Sequence, residues 1–255
     1  MITRDLGVNL FKEYIRSKPN MEITLNELKI IRSEIDSLVK LFYIKKGSNC
    51  SRSGKEYENK VYTIIKNSPF VIEQGGGSSH TPDIKCVDGK SIEVKKASAP
   101  DWGQIVLKWK NDSWVSKSEL FNKYLNKLNM KHPPFLQNNM IYEEWLKIKS
   151  EYKDEYIDID DNTINEYYRK KGTYYIQISD GYGFYHLGDD VFNLGVPKFE
   201  IKQRMRVRVK VHSQSNNNGY AQLSVTGALQ PINLNQLMKS PYSLDNIDKL
   251  PPNLL

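Results

Sequence analysis

The spacing of apolar residues changes along the chain, and each change predicts a different secondary structure. In the first 45 residues the apolar positions recur every three or four residues, which is typical of helices. A capping-box pattern at 24–27 predicts the start of a helix whose apolar face extends from Leu28 to Phe42. After a polar loop at 46–54, the same spacing predicts another helix, which Pro69 ends.

Shorter apolar runs follow, and they predict a set of strands around a glycine-rich turn at 75–79. Asp88 and Gly89 separate two of these runs and are typical of a tight hairpin turn. The strands are expected at 70–72, 83–87, 91–95 and 104–109. This part of the chain therefore predicts a small sheet that contains an antiparallel hairpin.

The second half of the chain predicts helices first and strands afterwards. Residues 117–170 have mainly helical spacing, and the acidic stretch at 158–161 is expected to be a solvated loop. From Gly172 onwards, alternating patterns and turn residues predict strands. These strands are expected at 174–178, 183–187, 199–212 and 220–229, followed by an irregular tail.

The composition adds a class of partner to this picture. The 255 residues carry a net charge of +7, and such an excess favours polyanionic partners. Cys50 and Cys86 lack metal-ligand spacing, so we expect free thiols in a reducing compartment, with Cys86 buried in a strand. No apolar run resembles a secretory signal or a membrane span. A soluble, cytoplasmic protein without a membrane partner is therefore expected.

Three charged residues of the predicted hairpin are placed to meet. Glu93 and Lys95 are two positions apart on one strand, so their side chains face the same way. The turn at Asp88 and Gly89 returns this strand alongside Asp83. An aspartate, a glutamate and a lysine are therefore expected to converge on one patch.

Those three groups suit the hydrolysis of a phosphodiester. Asp83 and Glu93 offer oxygen ligands to a divalent cation such as Mg²⁺, and the backbone carbonyl of Val94 is placed as a further ligand. Such a cation polarises the scissile phosphate and promotes the ionisation of water. Lys95 is expected to orient or deprotonate the attacking water and to offset the charge that develops on the phosphate.

The residues Pro82, Asp83, Glu93 and Lys95 resemble the active-site motif of the PD-(D/E)xK nuclease superfamily, which includes most type II restriction endonucleases. The resemblance covers about residues 54–109. It implies an α/β or α+β fold of the restriction-endonuclease-like type, with a mixed central sheet flanked by helices. The C-terminal strands would add an antiparallel sheet to it. The resemblance also implies Mg²⁺ as the cofactor, with Mn²⁺ able to replace it.

Two further candidate residues follow from the same resemblance. Members of the superfamily place a helix with a glutamate before the motif, and Glu58 matches that position, where it would bind a second metal or support the first. Glu56 is the alternative on the same helix. Some members carry a glutamine near the site after the lysine, which makes Gln104 a candidate.

The expected organisation has three parts: a helical N-terminal segment at 1–50, a catalytic core with a helical insertion at 51–170, and a β-rich, DNA-contacting part of the same domain at 171–255. The expected function is that of a type II restriction enzyme, a sequence-specific endonuclease that cleaves double-stranded DNA. Such enzymes are commonly homodimers because palindromic sites impose two-fold symmetry, and the helix at 25–42 is the candidate contact. A structure-specific nuclease, such as a Holliday junction resolvase or a repair enzyme, is one alternative. A DNA-binding protein without catalysis is another.

Other polar residues near the motif have weaker claims to a role. Lys96 faces away from Lys95 on a regular strand, so it is expected to meet solvent or a phosphate. His80 precedes Asp83 by three residues and could approach the site, although a lone loop histidine is more often structural. The turn at 75–79 could approach DNA closely, but it lacks the pattern of a nucleotide-binding loop.

The strand expected at 199–212 alternates almost strictly between cations and apolar residues. Its cations are Lys202, Arg204, Arg206, Arg208 and Lys210. Alternate residues of a strand are ~6.6–6.8 Å apart, which is close to the spacing of successive phosphates in nucleic acid. The return strand from Tyr220 to Thr226 offers polar partners, among them Gln222 and Ser224, but no acid. This row of cations is therefore expected to contact DNA, with a solvated face as the alternative.

Overall fold

The structure, a computed structural model, describes residues 49–75, 81–132, 140–214 and 220–254. The chain divides into two compact units, residues 1–52 and residues 53–255. The boundary predicted at residue 50 lies close to this division. The candidate dimer helix at 25–42, His80 and the glycine-rich turn beyond its first residue lie outside the described residues.

The described residues form a mixed α+β fold, which confirms the predicted class at this level. The helices are α1 (Asn49–Ile65), α2 (Glu119–Leu125), α3 (Tyr142–Ile148) and α4 (Thr163–Arg169). The strands are β1 (Val71–Gln74), β2 (Ile84–Cys86), β3 (Ser91–Lys95), β4 (Gly103–Lys110), β5 (Ser113–Val115), β6 (Met140–Ile141), β7 (Glu155–Ile159), β8 (Thr173–Ile178), β9 (Gly183–His186), β10 (Gln203–Gln214) and β11 (Tyr220–Pro231). None of the described helices has the length and apolar character that crossing a bilayer requires.

The first sheet contains the predicted hairpin and is mixed, as expected. Its five strands lie in the order β1-β2-β3-β8-β9. The pairs β1–β2, β2–β3 and β8–β9 are antiparallel, whereas β3 and β8 are parallel. The long connection between β3 and β8 carries the chain through the second sheet before it returns. We call this five-stranded sheet the motif sheet.

The second sheet is antiparallel and includes the strand with the row of cations. Its order is β5-β4-β11-β10-β7, and β6 also pairs with β11. The predicted C-terminal hairpin therefore exists, but strands from the middle of the chain extend it. Because β8 and β9 belong to the motif sheet, a boundary at residue 170 does not separate the two sheets. We call this sheet the basic sheet.

Two hydrophobic cores separate the layers. One core packs α1 against one face of the motif sheet, and Val61, Ile92 and Tyr175 belong to it. The other core lies between the opposite face of that sheet and the basic sheet, and it contains Ile176 and Met205. Cys86 is a buried free thiol of the first core, as predicted, and its burial raises the pKa of the thiol to about 12.

Three predictions about local structure were wrong. The acidic stretch at 158–161 begins in strand β7, in which Ile157 and Ile159 are buried while Asp158 is exposed. The loop predicted at 46–54 is helical from Asn49 onwards. The described residues of the region at 117–170 form only short helices, and tertiary pairing with β10 turns a charged segment into a strand.

Candidate functional site

The hairpin of β2 and β3 brings Asp83 to the motif residues of β3. Ile84 lies across from Ile92 in the antiparallel register, so the next position outwards places Asp83 beside Glu93. The backbone amide of Val94 donates to Asp83 Oδ2 over 2.8 Å. This bond fixes the carboxylate of Asp83 at the open end of the hairpin.

A left-handed backbone conformation at one end of this hairpin and a close approach of the chain at the other both favour glycine. Asp88 and Gly89 have φ angles of 56° and 68°, which Asp-Gly turns adopt at low cost. The amide of Gly75 donates to the carbonyl of Asp83 over 2.9 Å. A Cβ on Gly75 would lie 2.1 Å from the carbonyl oxygen of Pro82, so the chain can pass here only without a side chain. The predicted turn residues thus help to place the carboxylate.

Glu93 and Lys95 share one face of β3, as the alternation predicts. Their register partners on β8, Ile176 and Ile178, belong to the core between the two sheets. Lys95 Nζ donates to Glu93 Oε1, and the two side chains are only 21% and 13% exposed. The charged pair therefore lies at the edge of a hydrophobic core, where an ion pair is less screened by water.

Asp83 is a carboxylate in an environment that disfavours its charge. Burial raises its pKa, and the neighbouring charges of Glu93 and Glu58 raise it further. Lys95 and the amide of Val94 lower it only in part, so the pKa is raised to about 7. Clustered carboxylates of this kind are stabilised when a cation binds between them.

Lys95 keeps its proton in the same environment. Burial lowers the pKa of Lys95, but the negative charges of Glu93 and Asp83 and the bond to Glu93 outweigh it. The pKa therefore lies above its ordinary value, and Lys95 is a cation near neutral pH. Of the three roles predicted for this lysine, orienting the water and offsetting charge are favoured over removing a proton.

The structure distinguishes the two candidate glutamates of α1. Glu58 is partly buried, and its charge raises the pKa of both Asp83 and Lys95, while Lys55 donates to its Oε2 over 2.9 Å. Glu56 is exposed. Within the described ranges no group of three or more His, Cys, Asp or Glu side chains is placed to hold a metal ion. Glu58 is therefore close enough to act on the site electrostatically.

Helix α4 supplies a residue that the sequence pattern did not reveal. Tyr168 is fully enclosed, its hydroxyl donates to the carbonyl of Trp102, and its ring lies 5.9 Å from Lys95 Nζ. Burial, with the charge of Glu93 next, raises its pKa well above the ordinary value. The side chain of Gln203 accepts from the amide of Ile164 at the start of this helix. Strand β10 thus anchors the helix that closes the site.

A cleft of about 230 Å³ joins these residues to the basic sheet. Its walls contain Asp83, Glu93 and Lys95 from the motif sheet, Tyr167, Tyr168 and Lys171 from the region of α4, and Asp101 and Gln104 from the start of β4. The volume is below the ~300 Å³ at which ordinary small-molecule sites begin. A cleft this small suits one phosphate group with a cation better than a whole metabolite.

The predicted row of cations exists on β10, but an acid lies against it. Arg206 and Arg208 both donate from Nη2 to Asp101 Oδ2, over 3.2 and 2.9 Å. Their side chains are 12% and 28% exposed. The return strand β11 offers no acid, as the sequence indicates, but an acid from elsewhere in the chain reaches two of these cations. Asp101 comes instead from the loop between β3 and β4.

The other predicted contact residues are distributed around this face. Arg204 stacks on Tyr156, 4.1 Å from its ring centre, and its Nε donates to Gln230 over 3.1 Å. Lys210 Nζ lies 3.4 Å from Gln104 Oε1. Lys202 is exposed and precedes β10. Among the described residues, protein groups therefore engage only part of the row of cations on β10.

Lys96 and Gln104 lie on different sides of the motif. Lys96 Nζ donates to Ser53 Oγ of α1 over 2.6 Å, so it faces away from Lys95, as predicted, but contacts protein. Gln104 lines the cleft and donates to Asp101 Oδ2 over 2.7 Å. The position of Gln104 in the cleft agrees with the expectation from the sequence.

Sequence reasoning missed Asp101 and Tyr168, and each gave only a weak signal. Asp101 follows Pro100 directly before a predicted strand, a place where acids are common in turns. Tyr168 belongs to a helix of seven residues, too short for a clear apolar face. Neither residue lies within the motif, so only the tertiary structure brings them to it.

Comparisons with protein-family models, with curated proteins and with solved structures give no match to this chain.

Proposed function

We propose that this protein is a Mg²⁺-dependent endonuclease of the PD-(D/E)xK type that cleaves double-stranded DNA. One observation carries the proposal: Asp83, Glu93 and Lys95 line one cleft, with Asp83 held on the amide of Val94. This arrangement supports the chemistry that the motif suggests. A mixed sheet with helix α1 on one face is also compatible with a restriction-endonuclease-like fold.

The donor set of the site fits a hard divalent cation. Asp83 and Glu93 provide carboxylate oxygens, and repulsion between them raises the pKa of Asp83. Mg²⁺ retains several waters and commonly uses one or two carboxylates together with substrate phosphates, so two protein carboxylates suffice. When bound, the ion would polarise the scissile phosphate and promote the ionisation of water. Mn²⁺ has similar ligand preferences and is expected to replace it.

The residues of the chain itself perform the remaining tasks. Lys95, protonated and held by Glu93, donates hydrogen bonds to an attacking water or to the phosphate as negative charge develops. Tyr168 excludes water from beneath this pair and keeps its ring against the lysine. Glu58 adds negative charge near Asp83, which strengthens the attraction of the site for a cation.

The basic sheet supports DNA as the substrate. The row of cations on β10 approaches the cleft at Lys210, because Gln104 lines the cleft and lies 3.4 Å from the Nζ of Lys210. A duplex that reaches the carboxylates would therefore also meet Lys210, Lys202 and the edge of Arg204. We extend the proposal to sequence-specific cleavage by a homodimer, as in type II restriction enzymes, where two-fold symmetry matches a palindromic site.

The test is digestion of supercoiled plasmid by the purified full chain with Mg²⁺, with Mn²⁺ and with EDTA. Discrete fragments that require the metal support a restriction enzyme. Cleavage confined to branched DNA would replace it with a structure-specific nuclease. Binding in a gel-shift assay without any cleavage would leave a DNA-binding protein and overturn the enzymatic proposal.

A further inference from the structure

The guanidinium groups of Arg206 and Arg208 are incompletely satisfied by protein groups. In the part of the chain that the structure describes, the Nε of each arginine is buried and has no hydrogen-bond partner. Asp154 Oδ2, 3.7 Å from Arg206 Nε, is near enough for charge attraction but not for a hydrogen bond. Buried donors of this kind are rare in folded proteins and call for a partner.

A third buried polar atom lies beside them. Thr226 is the register partner of Arg208 on β11, so their side chains share one face of the sheet. Its Oγ1 is also buried without a hydrogen-bond partner among the described residues. Two cationic donors and a hydroxyl, which can donate as well as accept, thus lie together. That combination is complementary to an anion that has several oxygens.

Asp101 is a poor substitute for such an anion. Its Oδ2 accepts from Arg206, Arg208 and Gln104, so three donors share a single oxygen. Its Oδ1 accepts from Gln230 over 3.0 Å. Asp101 therefore leaves both Nε groups unmet, because Gln230 engages its second oxygen, whereas both non-bridging oxygens of a phosphodiester can accept from guanidinium groups.

The position of Asp101 connects this cluster to the proposed active site. Asp101 lines the same cleft as Asp83, Glu93 and Lys95. The following residue is fixed, because the amide of Trp102 donates to the carbonyl of Leu229 over 2.8 Å. A phosphate that enters the cleft beside the carboxylates therefore meets Asp101, whose carboxylate contacts both arginines.

We propose that Arg206, Arg208 and Thr226 form a subsite for a backbone phosphate next to the scissile one, and that Asp101 holds the two arginines until this phosphate binds. The proposal rests on the proposed function, since it takes DNA as the ligand. It gives these two arginines a role distinct from that of Lys202 and Lys210, which meet the duplex from solvent.

The test is the affinity of the full chain for a short DNA duplex, measured by fluorescence anisotropy in EDTA. D101N removes the competing charge and keeps the shape, so it is expected to bind roughly three- to tenfold more tightly than the wild type. D158N is the matched control, because Asp158 is exposed, lies across from Arg204 on the same sheet and changes the net charge equally. D158N is expected to gain less than D101N. Equal gains in the two variants, or weaker binding by D101N, would overturn the subsite.

Further variants keep the test decisive if D101N is unstable. R208K retains the charge but loses the planar pair of donors, and it should bind DNA several-fold more weakly. T226V removes the hydroxyl and should weaken binding by a smaller factor. Unchanged affinity in both variants would contradict the proposal, whatever D101N does.

A second arm separates the source of the phosphate. Thermal melting of D101N in sodium phosphate and in sodium chloride of equal ionic strength tests inorganic phosphate alone. Stabilisation by phosphate without a gain in DNA affinity would indicate a site for free phosphate and overturn the DNA assignment. Because the affinities are measured in EDTA, they do not depend on cleavage. A wild type that fails to cut overturns the nuclease, whereas cutting without a gain in D101N overturns only the subsite.

Discussion

The motif sheet and the basic sheet both display charged residues on regular strands, yet their charges are balanced in different ways. In the motif sheet, Asp83, Glu93 and Lys95 are within twelve residues of one another and meet through one hairpin. In the basic sheet, Arg206 finds its counter-charge in Asp101, 105 residues away. Chemistry that is local in the chain can be read from spacing, whereas neutralisation by a distant loop cannot.

The cations of the two sheets differ in how far protein groups neutralise their charge. Lys95 is held between carboxylates within the cleft, and Lys210 has a neutral partner, Gln104, at 3.4 Å. Arg206 and Arg208 are intermediate, since they are mostly enclosed and share one acid. We therefore expect substitutions in the two sheets to affect catalysis, stability and binding in different proportions.

The largest effect is expected in the motif sheet. Lys95→Ala removes the donor that we propose offsets charge on the phosphate, and we expect cleavage to fall by about 10²–10³-fold. The rate is measured by single-turnover plasmid nicking in Mg²⁺. Lys96→Ala is the matched control, because that lysine contacts Ser53 on the opposite side of the strand. Equal losses in the two variants would contradict the placement of Lys95 in the site.

Two substitutions in strand β10 of the basic sheet should differ in their effect on the free energy of unfolding. Arg208→Ala leaves Asp101 with fewer donors, and we expect it to lower the free energy of unfolding by roughly 1–3 kcal/mol. Lys210→Ala should change that free energy by less than about 0.5 kcal/mol. Lys210→Ala should instead reduce the salt dependence of DNA binding by about one charge. Urea unfolding and binding at several salt concentrations provide the two measurements, and similar unfolding energies would remove the distinction.

The effect of Asp83 on stability is expected to depend on pH in the opposite direction to that of an ordinary ion-paired acid. Its pKa in the folded protein is raised to about 7, so the folded state binds more protons than the unfolded state between about pH 4 and 7. The contribution of this carboxyl to stability is present at low pH and is lost as pH rises through 7. Asp83→Asn should therefore raise the melting temperature in EDTA more at pH 8 than at pH 5. Asp88→Asn, in the exposed turn, is the control and should show no such difference.

The smallest effect is expected from a substitution in α4, the helix that closes the site. Tyr168→Phe removes the hydrogen bond to the carbonyl of Trp102, and the loss should be about 1 kcal/mol of unfolding free energy. A moderate fall in cleavage should accompany it, because Tyr168 packs against Lys95. Tyr156→Phe, on the exposed side of the basic sheet, should change neither quantity. A stable Tyr168→Phe variant with full activity would show that the hydroxyl has no positioning role.

Sequence alone was sufficient for features that depend on neighbouring residues. The hairpin around Asp88, the alternation of β3 and the long pair β10–β11 were all predicted, because turn residues and period-two burial are local properties. The convergence of Asp83, Glu93 and Lys95 follows from that same local geometry. The direction of Lys96, whose side chain faces away from Lys95, follows from it as well.

Only the tertiary structure decided what surrounds those features. Four features join residues that are far apart in the chain. They are the parallel pairing of β3 with β8, the strand at 155–159, the contact of Asp101 with two arginines and the burial of Tyr168. Their partners are selected by packing of whole layers, and no short stretch of sequence encodes that selection. The sequence therefore determined the motif and its hairpin. The tertiary structure partly neutralises the row of cations, because the loop between β3 and β4 brings Asp101 to Arg206 and Arg208.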